Sequence, residues 1–204
     1  MSLHLTLMSD IATRAKYSSA LAPIILIGGW TIAEASWSAY DPMRQTISEL
    51  AASDAPTKVF MTAVFVLTGL CHIISASGLR NAAMPGRIAL GIGGVAIIAV
   101  AFTPLPSVAQ HSAAHTTVAT ISFTAMSIWP LLAMRNELTA PWMLSKKGSW
   151  FGTLFLGALA LIFLATWLTE SSYAGFTERM ISGSQVFWPW GLVRDTRKSA
   201  KQTS

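Results

Sequence analysis

The chain has 204 residues, 52% of them hydrophobic and only 11% charged, with a mean hydropathy of +0.52. Soluble domains average roughly 25% charged residues, and a chain this short cannot hide so much apolar surface in a single core away from water. The net charge of +5 does not point to nucleic acid, because the basic residues lie in short gaps and in the tail, without the interleaved aromatics of a stacking platform.

Lipid is therefore the expected solvent. Six stretches are long and apolar enough to cross a hydrocarbon layer of about 30 Å, which takes roughly 20 helical residues. They lie near 18–38, 58–79, 88–105, 108–134, 149–169 and 176–193. The sequence predicts an all-α integral membrane protein: a six-transmembrane-helix bundle with a short outer surface helix in the first loop. Its parts would be a cytoplasmic segment 1–17, one six-span domain 18–193, and a basic, disordered cytoplasmic tail 194–204.

Arg14 and Lys16 precede the first stretch, and Ala33-Glu34-Ala35 fits a small-x-small cleavage pattern. The basic region is long for a secretory signal, so a retained span is expected. Asp41-Pro42 reads as an N-cap with proline at the first helical position, which predicts a surface helix over 42–51. The second stretch holds Cys71, the single cysteine, so no intrachain disulfide can form. It also holds His72, expected to hydrogen-bond between helices. Gly91-Ile92-Gly93-Gly94 has no preceding strand and is not a dinucleotide loop; small residues there predict close helix packing.

Pro104-Leu105-Pro106 ends the third stretch, and Ser107-Val108-Ala109-Gln110 matches a capping box, which would start the fourth helix close to Ser107. In the last stretch Glu178, Ser182 and Gln185 recur at helical spacing, a polar stripe expected to face the bundle.

Basic residues fix the orientation. With the N-terminus inside, eleven of the fourteen Lys and Arg fall on the inner side, leaving only Arg44, Lys58 and Arg179 outside. Both termini would be cytoplasmic. Trp188 and Trp190 suit an inner aromatic belt, Trp37 and Tyr40 an outer one.

On this topology six of the nine acidic residues gather on the outer side, together with His111, His115 and Arg179. Ionisable groups at membrane depth are costly and usually face a cavity. His115, Glu49 and Glu178 are the candidate catalytic groups, the imidazole as base and the carboxyls as acids. Arg179, Glu34, Ser48 and Asp41 are candidate substrate-binding residues. Arg179 would either clamp an anionic headgroup or pair with Glu34 or Glu49. His111 and His115, four apart on one predicted helix, form part of a zinc motif that Glu49, Glu178 or Asp41 would have to complete. With no HExxH pattern and no third histidine on that side, zinc is less expected than the absence of any cofactor.

Trp37-Ser38, Tyr40-Asp41-Pro42, Thr46-Ile47-Ser48-Glu49-Leu50, the proline turn before the helix led by His115, and the late Glu178-Arg179 together resemble the bacterial membrane family catalogued as domain of unknown function 998. The resemblance runs from about residue 20 to 193. It implies about six spans and placement in a bacterial cytoplasmic membrane. Its distant likeness to DRAM- and FRAG-type proteins, some tied to remodelling of lipid anchors, implies a link to lipids. His111 lies outside the shared pattern.

The functional expectation is an outward-facing polar pocket that binds, and as a further option processes, a lipid or other amphiphile. A non-catalytic subunit of a membrane complex and a small transporter are the alternatives. Membrane lipid is the expected partner, beside a second membrane protein or another copy of the chain.

Overall fold

Apolar runs punctuated by proline, glycine and hydroxyl residues become six helices in the computed structural model, which describes residues 11–202. They are α1 (Thr13–Ala35), α2 (Lys58–Gly78), α3 (Met84–Phe102), α4 (Ala113–Leu132), α5 (Lys146–Leu168) and α6 (Ala174–Gln202). Among the described residues there is no strand, only an isolated bridge between Ile11 and Leu79. By length and composition α1, α2, α3 and α5 can each cross a membrane. Large apolar side chains such as Ile24, Val59, Val95, Leu154 and Leu161 cover the outside. Water would penalise that surface and a hydrocarbon layer would not.

Each helix packs on its neighbours in the chain, and α6 closes the ring against α1. Where α2 crosses α3, small residues set the distance. A Cβ on Gly69 would sit 2.5 Å from the carbonyl oxygen of Gly94, and one on Gly94 would sit 2.7 Å from that of Gly69. The glycine-rich stretch of α3 thus serves close packing, as its composition predicts.

Two ends follow from the connections. At one end lie the C-termini of α1, α3 and α5 and the N-termini of α2, α4 and α6. Ser53 N donates there to Leu105 O at 2.9 Å, and Val108 N to Asp54 Oδ1 at 3.0 Å, so the first and third loops are joined. At the opposite end Arg14 and Arg87 donate to Ser77 O, Arg135 Nε to Asn81 O, and Arg194 stacks on Trp190. The first end carries the candidate site; the second carries most of the basic residues.

Four local expectations need correction. The first loop holds only a five-residue 3₁₀ helix, Ile47–Ala51, capped by Thr46 in a reciprocal box with Glu49. Asp41 caps no helix; its Oδ1 accepts from Met43 N in a tight turn. Helix α4 starts not at Ser107 but after Ser112, whose side chain accepts from His115 N at 3.3 Å. The tail is not free coil, since α6 continues for 29 residues to Gln202. Asp195 holds Met143 N at 2.8 Å and Thr196 holds Asn81 at 2.8 Å, which ties the helix extension to the body. Helix α1 already begins at Thr13, so the expected N-terminal segment is partly helical; residues 1–10, like 203–204, lie outside the described residues.

Candidate functional site

The second turn of α6 brings Arg179 to the end of α1. Its Nε donates to Glu34 Oε1 at 2.7 Å and Nη2 to the same oxygen. Nη2 also donates to the Tyr40 hydroxyl at 2.6 Å, and Nη1 to Gln45 O at 3.0 Å and Gly175 O at 2.8 Å. The guanidinium additionally lies over the Tyr40 ring. All its nitrogens therefore face protein acceptors. Tyr40 is buried and directs its hydroxyl at Gln45 O and Thr46 O. Burial pushes its phenol well above the ordinary value of 10.0, against the opposing pull of Arg179.

Beside this hub Glu178 is only 4% exposed. One carboxylate oxygen accepts from Ile47 N and the other from Ser48 Oγ at 3.3 Å, so the side chain caps the 3₁₀ helix from below. Glu49 accepts from Thr46 N at 3.0 Å and from Gln45 Nε2 at 3.1 Å. Gly175 makes this docking possible, because a Cβ there would meet Gln45 O at 2.1 Å.

A groove of about 450 Å³ opens between α4 and α5 and ends at these carboxylates. Ser48, Glu49, His111, His115 and Glu178 line its polar end; Phe123, Ile128, Leu161, Leu164 and Trp167 line its apolar length. The groove exists because α5 is held close only along its first half, where Gly148, Ser149, Gly152 and Leu156 are its buried residues. Farther along, Thr166 meets Thr177 at 2.6 Å and Phe163 packs on Phe123, leaving space between. In α4 the Leu131 amide, next to Pro130, donates to Thr153 of α5 at 3.0 Å and closes the groove's far end.

His115 is oriented for chemistry. Its Nδ1 lies 2.8 Å from Thr103 O. A carbonyl can only accept, so Nδ1 carries the proton and Nε2 of the neutral ring keeps its lone pair. His111 precedes α4 and lies edge-on to Trp167, 5.3 Å between ring centres. The two histidines therefore do not share a helix face, although both line the groove. Among the described residues no three His, Cys, Asp or Glu side chains are grouped to hold a metal.

Deeper in the bundle, Glu178 also borders a small cavity of about 70 Å³ shared with His72, Ser122, Ser182 and Gln185. The expected stripe on α6 thus does face inward. His72 does not behave as expected: its Nδ1 is buried without a hydrogen-bond partner among the described residues. Gln185 supplies the helix contact instead, donating to Ser127 Oγ and Phe123 O at 3.0 Å each.

Of the eight candidate residues, Ser48, Glu49, His111, His115 and Glu178 meet at one groove. Arg179 and Glu34 form the adjoining tie, and Asp41 stays in an exposed turn. The sequence reading missed Tyr40 as a buried hub and Trp167 as a groove wall. The Thr46–Glu49 spacing, which is a capping-box pattern, could have located the 3₁₀ helix.

Apolar helices around a groove with one polar end define a membrane-embedded helical bundle. The family model described as Protein of unknown function (DUF998) matches residues 20–195, and the chain belongs to that family. No curated protein and no solved structure matches it.

Proposed function

We propose that the chain is a six-span protein of the bacterial cytoplasmic membrane, both ends cytoplasmic, that binds a lipid or similar amphiphile in the groove between α4 and α5. The groove itself carries this reading. From His115 to Ser127 it follows α4 for about 18 Å at 1.5 Å per residue, the scale of an acyl chain. Its walls are largely apolar, and its ionisable groups cluster at one end, as an amphiphile requires. The basic residues at the opposite end support the orientation. His115 would act as base and Glu49 and Glu178 as acids in any reaction at the headgroup.

A second reading, a structural subunit of a larger membrane assembly, is favoured by the exposed apolar face of α5, including Trp150, Leu154 and Leu161. Lipid extraction separates the two. Protein purified in mild detergent should retain bound lipid detectable by mass spectrometry, and Ala160→Trp, which fills the groove, should release it while the protein stays folded. Equal lipid content in both proteins would refute the groove as the binding site.

A further inference from the structure

We infer that the groove selects a lipid whose headgroup carries a protonated amine, a proposal that rests on the amphiphile reading above. Every ionisable side chain along the groove is a carboxylate or an imidazole, and no Lys or Arg lines it. The nearest guanidinium, Arg179, is not available to a ligand, since its donors already meet Glu34, Tyr40, Gln45 O and Gly175 O. An anionic headgroup entering here would face two carboxylates without a counter-charge.

A cationic one meets complementary chemistry. Among the described residues neither Glu49 nor Glu178 forms an ion pair. Each Glu178 oxygen accepts a single hydrogen bond, from Ile47 N and from Ser48 Oγ. Glu49 Oε2 accepts one, from Gln45 Nε2. A carboxylate oxygen has two lone pairs, so both side chains keep unused acceptor capacity. An ammonium group brings three N–H donors and one positive charge to that end. The 450 Å³ groove favours a chain-bearing amine over a free one. In a zwitterionic headgroup the amine would sit between the two carboxylates and the phosphate would stay towards the aqueous surface.

Trp167 lines the groove and provides the readout. Brominated-chain phosphatidylethanolamine and brominated-chain phosphatidylglycerol would be titrated into the detergent-purified protein, with Trp167→Phe identifying the Trp167 part of the quenching. The amine lipid should quench it at roughly tenfold lower concentration than the glycerol lipid, the scale of one charge-assisted hydrogen bond. Glu49→Gln and Glu178→Gln should each shrink that preference. The wild-type ratio stands as a test by itself should either variant fold poorly. Equal or stronger quenching by phosphatidylglycerol would overturn the amine assignment and leave the groove intact. Quenching by neither lipid would overturn the amphiphile reading too. Competition by soluble phosphoethanolamine at concentrations matching the lipid would show that the ligand is a free amine, which also overturns the proposal.

Discussion

Arg179 and Glu34 meet 145 positions apart in sequence, with Nε and Oε1 separated by 2.7 Å. The pair fastens the start of α6 to the last turn of α1 and closes the ring of helices at the groove end. Its side chains are 13% and 19% exposed, so both charges have lost most of their water.

Removing one partner should leave the other stranded. Arg179→Leu is expected to cost about 3–5 kcal/mol, the range for breaking a buried pair from one side. Arg87 donates to the carbonyls of Ala76 and Ser77 at the opposite end. Its loss should cost only about 1 kcal/mol, as for a typical hydrogen bond. Thermal melts of the two leucine variants in one detergent check this; equal shifts would show that the Glu34 contact carries no special weight.

Gly175 should tolerate no side chain. A Cβ would lie 2.1 Å from Gln45 O and 2.6 Å from Pro42 O, and backbone carbonyls cannot swing aside as a flexible side chain can. Gly175→Ala is expected to destabilise by about 1–3 kcal/mol. Gly28 in α1 has nothing within 4 Å of the same position. Gly28→Ala should stabilise by about 0.5–1 kcal/mol, because a helix prefers alanine. Opposite signs in the two melting shifts are the expected result.

Alkaline pH should loosen the site through Tyr40. Its phenol is raised in the fold, chiefly by burial, while the unfolded chain titrates near the ordinary value of 10.0. The folded protein therefore binds the proton more tightly, and this contribution is fully present below pH 10 and is lost as pH rises beyond it. Melting temperature should fall above that value, and Tyr40→Phe should flatten the fall. A phenolate absorbance titration should also show Tyr40 ionising above its ordinary value of 10.0.

Orientation can be read with a thiol label. Ser53 is exposed in the loop preceding α2, at the groove end. A Ser53→Cys protein lacking Cys71 should react with an impermeant maleimide on intact cells. Labelling only after permeabilisation would place the groove on the cytoplasmic side.

Much of the helical order was legible because long apolar runs specify helix in lipid whatever their neighbours do. The helix starts were less so. Ser107 and Ser112 both offer a hydroxyl ahead of α4, and the sequence does not reveal that Val108 N is taken by Asp54 from another loop. Asp41 and Thr46 compete in the same way, and the choice falls to Thr46 because Glu178, far along the chain, accepts from the neighbouring Ile47 amide. The polar composition of 194–202 suggested coil, yet tertiary partners at Asn81 and Met143 keep it helical. Among the site residues, clustering on one membrane face brought out Ser48, Glu49, His115 and Glu178. Tyr40 escaped because an aromatic near a span end looks the same whether it faces headgroups or a buried arginine.

The uneven burial of α5 has a mechanical consequence. Its first half is fixed by packing, but its second half has no buried residue and meets the bundle through Phe163 on Phe123 and Thr166 on Thr177. The tilt of a spanning helix is set by its packing neighbours, so these few contacts fix the angle of that half. Loss of either contact would free the far half of α5 to lean away from α4, so the width of the gap depends on two side-chain pairs rather than on a packed seam.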